Sequence, residues 1–113
     1  MMTQQTFVID DEQQWADLEA FPGTQLLSLA VPVPEGSIHR LRMMKGTVIP
    51  THTHPCDEYV YVLTGSGRTG QQVCDAGACW HTPAQVTQGP HIALTDVELL
   101  TVRLGSMGQF RQS

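Results

Sequence analysis

The chain is short of positive charge. Six Lys and Arg stand against eleven Asp and Glu in 113 residues, giving a net charge of −5. With no Lys/Arg cluster to neutralise phosphates, a nucleic-acid partner is not expected. No apolar run approaches the ~20 residues needed to span a bilayer, so no membrane partner is expected either. The opening stretch, "MMTQQTFVIDDEQQ", has neither a basic start nor an apolar core, which argues against a secretory leader. Cysteine is scarce and odd in number: Cys56, Cys74 and Cys79 form no Cys-x-x-Cys pair, so a thiolate zinc knuckle is unsupported. Free thiols point to a reducing, cytoplasmic setting. Internal repeats, a Gly-rich phosphate loop and a nucleophile elbow are all missing, and nothing positions paired acids for glycoside hydrolysis.

What remains is a composition that is 41% hydrophobic and 15% charged, enough for one globular domain over 1–113. "TFVI" reads as a short strand. "DDEQQWADLEAF" places Trp15 and Leu18 three apart behind acids, which predicts a short helix capped by Asp10 or Asp11 and ended by Pro22-Gly23. Together these form an N-terminal extension over 1–24. From there strands recur every eight to twelve residues: "TQLLSLAV", "SIHRLRMM", "TVIPTHTH", "EYVYVLTG", "RTGQQV", "ACWHTP" and Val97–Leu104. Gly65–Gly67 reads as a hairpin connection and Cys74–Gly77 as a turn. The spacing predicts an all-β sandwich or small barrel over about 25–104, with a polar tail over 105–113.

"THTHPCDEY", Thr51 to Tyr59, carries the chemistry. His52 and His54 are two apart and share one face of a strand. On a straight strand Glu58 would lie about 20 Å from His52, at ~3.3 Å per residue, whereas one ion holds its ligands at about 2.0–2.2 Å. A shared ion therefore requires the chain to fold back, and Pro55-Cys56-Asp57 has the chemistry of a turn. Glu58 can then face the two imidazoles, while Val60 and Val62 continue into an apolar interior. The plainer reading is a solvated polar loop. Cys56 is a rival soft ligand if the strand runs on.

Gly46, five residues, His52-Thr53-His54, three residues, Glu58, six residues, Gly65: this spacing resembles the first cupin motif with every fixed position filled. The resemblance implies a jelly-roll β-barrel, commonly a homodimer, with His52, His54 and Glu58 as ligands of one divalent transition metal (iron, manganese, nickel or zinc). The second cupin motif fits in part. Gly77 and Pro83 match, but Gln85 replaces the expected Gly, Ile92 the expected Asn, and Gln88 the last ligand His. Gln88 can bind through its amide oxygen, as a Gln does in the similar phosphomannose isomerase. His91 is the better ligand chemically but has the wrong strand parity unless Gly89-Pro90 inserts a bulge. Gln88 and His91 both stand as candidates.

A His/carboxylate set with open positions implies a metal-dependent oxidoreductase, dioxygenase-like, acting on a small carbonyl or enol substrate. A redox-neutral isomerase or lyase and a non-catalytic metal or ligand sensor are the alternatives, and the sequence leaves enzyme and sensor both open. Glu58 is the expected proton-transfer group. Arg42 or Arg40, if inward, would bind an anion or hold Glu58; the plain reading is a solvent-facing Arg. Ile38, Arg40 and Arg42 share one strand face, and His39, Leu41 and Met43 the other. His39 and His81 read as surface or hydrogen-bonded histidines, and Trp80 and Tyr61 as packing residues.

Overall fold

The computed structural model describes residues 4–106 and the backbone of Arg111–Gln112. Twelve strands follow one another: β1 (Ala16–Asp17), β2 (Thr24–Ser28), β3 (Ser37–Met43), β4 (Val48–Ile49), β5 (His52–Thr53), β6 (Glu58–Thr64), β7 (Ser66–Thr69), β8 (Gln72–Asp75), β9 (Cys79–Thr82), β10 (His91–Ala93), β11 (Val97–Arg103) and β12 (Arg111–Gln112). All pairings are antiparallel. One sheet runs β1-β2-β3-β11-β6-β9, a second β4-β10-β7-β8, and β12 pairs with β5. The result is a cupin-type jelly roll.

The period-2 pattern explains the layers. In β3 the inward residues are His39, Leu41 and Met43; in β6 they are Glu58, Val60 and Val62; in β11 they are Val97, Leu99 and Thr101. The apolar ones, Leu41, Met43, Val60, Val62, Val97 and Leu99, meet Ile49, Cys74 and Ala93 from the facing sheet in one core. Val62 is 1% exposed, and burial of such a side chain stabilises by about 1.5–3 kcal/mol. The two deepest layers are therefore apolar, and polar groups collect at one end, where β3, β11 and β6 present His39, Arg103 and Glu58.

Three local expectations change. The predicted N-terminal helix is only a 3-10 turn, Glu12–Gln14, although Asp11 does cap it by accepting from the Gln13 N–H at 3.0 Å. The helix fails because Trp15 and Leu18 are wanted on opposite sides of the sheet. Trp15 lies under the Arg42 guanidinium at 3.7 Å on the outer face, and Leu18 packs against the core. The intervening Ala16–Asp17 is extended against Gln25 and Leu26. "TFVI" forms no ladder; Phe7 and Ile9 are exposed. Gly65 joins no hairpin, because β6 and β7 belong to different sheets. It turns the corner between them with φ +83, and a Cβ there would sit 2.1 Å from the Asp96 carbonyl oxygen. "RTGQQV" holds the real hairpin, β7 to β8, about Gly70-Gln71.

Candidate metal and ligand site

The chain does reverse at Pro55–Asp57, but β5 and β6 are not paired strands. His52 instead exchanges both backbone hydrogen bonds with Gln88, each 2.9 Å, and the Gln85 N–H donates to the His54 carbonyl at 2.8 Å. Asp57 fastens the turn from the other side. Its Oδ1 accepts from the Ala84 N–H at 2.9 Å, its Oδ2 meets His81 Nε2 at 3.0 Å, and its carbonyl accepts from the Leu104 N–H at 2.9 Å. The Ala84 N–H and His81 hold its carboxyl below the usual carboxylate range. A short polar loop thus becomes a fixed crossing that delivers His52, His54 and Glu58 to one place.

Those three are each 5% exposed or less. His52 Nε2 and His54 Nε2 are 3.1 Å apart, and His54 Nε2 lies 3.4 Å from Glu58 Oε2. Two donors on one ion at about 2.0–2.2 Å are separated by about 2.8–3.6 Å, so both pairs have the spacing of edges in one coordination shell. His52 Nδ1 donates to the Pro50 carbonyl at 2.7 Å, which orients the ring with Nε2 facing the cluster. Burial holds His54 and His91 down to about 4, so both rings are neutral at pH 7 and have a lone pair to give.

Gln88 and His91 both reach the cluster. Between them Gly89 takes φ +98, and the side chains on either side end up inward despite their odd spacing. Gln88 Nε2 donates to Glu58 Oε1 at 3.4 Å, while its buried Oε1 has no hydrogen-bond partner among the described residues. A buried acceptor left without a donor is costly, and a cation beside it would remove that cost. The His91 ring lies 5.4 Å from that of His52, stacks on Trp80 at 5.8 Å, and meets Thr69 Oγ1 through Nδ1 at 3.1 Å. Gln88 has the stronger geometric claim because its amide already touches Glu58.

Among the described residues, no group of three His, Cys, Asp or Glu side chains is closed as it stands around a metal position. Glu58 leans on Arg103, whose Nε donates to Glu58 Oε2 at 2.9 Å. The donor chemistry nevertheless suits an ion: two imidazole nitrogens, one carboxylate and one orphan amide oxygen lie together in a buried space.

Above the cluster opens a cavity of about 460 Å³. Its walls are Leu41, Met43, Val60 and Leu99, and its rim is the Asp17–Phe21 segment. Arg42 is not in it. That side chain lies on the outer sheet face, paired with Glu12 at 2.7 Å and Glu98 at 3.5 Å, and Arg40 joins it there with Asp10 and Glu98. The guanidinium that reaches Glu58 is Arg103. Cys56 is buried beneath Gly105 rather than facing the cavity, and burial pushes its thiol up.

Residues 3–108 match the model of the ChrR cupin-like domain. The chain belongs to that cupin family. None of the curated proteins matches this cupin in sequence. Among solved structures it is similar to KdgF from Halomonas sp., with TM-score 0.79 and 25% identity over 89% of this chain and 95% of that one. An acetylacetone dioxygenase from Acinetobacter johnsonii superposes at TM-score 0.80 with 12% identity, over 97% and 87% of the two chains. Rhodobacter sphaeroides SigE in complex with the anti-sigma ChrR gives TM-score 0.69 and 22% identity, over 80% of this chain and 48% of that one. The cupin has no helix among its described residues long and apolar enough to cross a membrane.

Two residues of the site escaped the sequence reading. His39 reads from sequence as a surface or hydrogen-bonded residue rather than a site residue, yet it is 6% exposed and lines the cavity. Its parity with Leu41 and Met43 was the signal. Arg103 continues the inward series Val97, Leu99, Thr101 along β11, and the same rule would have found it.

Proposed function

We propose that this cupin is a metal-dependent oxidoreductase of the dioxygenase type, acting on a small carbonyl or enol substrate in the cavity above His52, His54 and Glu58. The observation that carries the reading is the convergence of those donors, 3.1 and 3.4 Å apart, at the floor of a cavity of about 460 Å³ with a wall of Leu41, Val60 and Leu99. His52, His54, Glu58 and Gln88 would hold the ion, with His91 beside them. A divalent transition metal bound there supplies Lewis acidity and, where redox-active, the one-electron chemistry that O₂ requires. The chain's own part is to orient and to exclude water. Arg103 fixes the Glu58 carboxylate, the Pro50 carbonyl orients the His52 ring, and the Leu41, Val60 and Leu99 wall keeps the substrate's carbon body dry. Glu58 is also the carboxylate placed to move a proton from an enolisable substrate, as a redox-neutral isomerase or lyase would need.

Elemental analysis of the purified protein, followed by oxygen uptake of the iron-loaded form on a 1,3-diketone, flavonol and hydroxy-ketone panel, tests the proposal. Stoichiometric metal lost in His52→Ala and Glu58→Ala is expected. Absence of a stoichiometric ion in the wild type ends the metal reading, and silence across the panel ends the oxidoreductase reading. Family membership favours one second reading, a metal or ligand sensor that works through a protein partner. Co-purification of a sigma factor released by zinc chelation would favour it.

A further inference from the structure

The inward row of residues beside the donor cluster runs across three strands. Arg103 of β11 lies opposite Ser37 of β3 on one side and Glu58 of β6 on the other, and the next inward row is His39, Thr101 and Val60. Arg103 uses only Nε on Glu58; its Nη1 and Nη2 make no hydrogen bond to a described residue, and the side chain lines the cavity. His39 is a second unspent polar group. It is 6% exposed, makes no side-chain hydrogen bond to a described residue, and opens onto the same cavity. An imidazole that faces the cavity with no side-chain hydrogen bond to a described residue is available to a ligand atom.

We propose that Arg103 and His39 form a carboxylate-binding subsite, so that the substrate class is a small anionic 2-oxo or enol acid with an apolar body. The planar Nη pair of Arg103 suits a carboxylate, and His39 adds one hydrogen bond from the adjacent row. Net charge supports the choice, and here the inference rests on the metal reading above. Without metal, Arg103 and Glu58 cancel, and with a divalent ion the floor carries a net charge of about +2, which an anion offsets. Two carboxylates oppose it, Asp17 and Glu19, but both are exposed at the rim, and Asp17 accepts from Gln25 at 3.0 Å. Solvent screens them more than it screens the floor. The apolar wall formed by Leu41, Val60 and Leu99 defines the carbon end of the substrate.

The test is calorimetry on zinc-loaded protein with 4-methyl-2-oxopentanoate and its neutral amide, molecules of one shape that differ in charge. Wild type is expected to prefer the acid by about ten-fold or more, the worth of a charge-assisted pair. Arg103→Gln is expected to abolish the preference with zinc stoichiometry unchanged, Arg103→Lys to retain part of it, and His39→Gln to weaken the acid several-fold. Equal binding of acid and amide, binding of neither by zinc-loaded protein, or an acid preference that survives in Arg103→Gln overturns the proposal. Failure to take up zinc at all overturns the metal reading beneath it, and circular dichroism of each variant separates both from misfolding.

Discussion

Replacing Glu58 with Gln keeps the shape of the side chain and removes its charge. In the metal-free protein the largest loss is in the pair with Arg103, 2.9 Å long, with side chains 6% and 22% exposed; the contacts with His54 and Gln88, both 3.4 Å, are longer and weaker. The ion pair becomes a hydrogen bond from the guanidinium to a neutral amide oxygen, and Arg103 can turn partly to water, so the cost is about 1–2 kcal/mol. Zinc changes the comparison. At a hundred-fold excess over its Kd the ion stabilises the wild type by about 2.7 kcal/mol, and a hundred-fold weaker variant at the same zinc gains only about 0.4 kcal/mol. The stability gap between the proteins therefore widens to about 3–4 kcal/mol when zinc is added. Urea unfolding with and without zinc reads all four values. If zinc stabilises Glu58→Gln as much as wild type, Glu58 is not a ligand and the convergence argument is wrong. If the metal-free proteins are equally stable, the Arg103 pair contributes nothing.

Gln88→His should tighten zinc binding, since imidazole replaces a neutral amide; a weaker affinity by competition assay would show that Gln88 does not face the ion. Arg42→Gln should leave zinc and 2-oxo acid binding unchanged and cost about 1–2 kcal/mol, because Glu12 is exposed while the contacts with the half-buried Glu98 and the buried Trp15 are also lost; altered ligand binding would contradict its placement outside the cavity. Gly65→Ala should destabilise by about 2–4 kcal/mol, from the left-handed backbone and the Asp96 carbonyl, and a urea midpoint within error of wild type refutes this. Burial holds His39, His54 and His91 down to about 4 in the fold against an ordinary 6.5. As pH falls below 6.5 the unfolded chain takes up protons that the fold resists, so metal-free stability is full above about pH 6.5 and declines toward pH 4, by up to about 1.4 kcal/mol per pH unit for each ring. A urea midpoint equal at pH 7 and pH 5 would falsify that account.

The cluster was legible because its constraints are local. Two histidines two apart, a turn of Pro and Asp, and a Glu opening a Val-rich strand leave few geometries. The identity of the guanidinium beside Glu58 was not, because it depends on which strand lies next to β6. Sequence neighbours suggested the Arg40–Arg42 strand, whereas β11 comes between β3 and β6 and supplies Arg103. The N-terminal helix was misread for a related reason. Spacing of three between Trp15 and Leu18 is helical only when both seek one face, and a sheet edge offers two. Gly65 likewise carries a turn signal, but the signal does not tell a hairpin from a corner between sheets.

The central place of β11 bears on how the protein comes into being. During vectorial synthesis, the segment holding His52, His54 and Glu58 leaves the ribosome well before Val97–Arg103 is made. Until that late strand lies between β3 and β6, Arg103 is not yet beside Glu58 and the sheet that carries the acid is unfinished. If the proposed ion is bound there, it would be held firmly only once that strand has docked, late in folding.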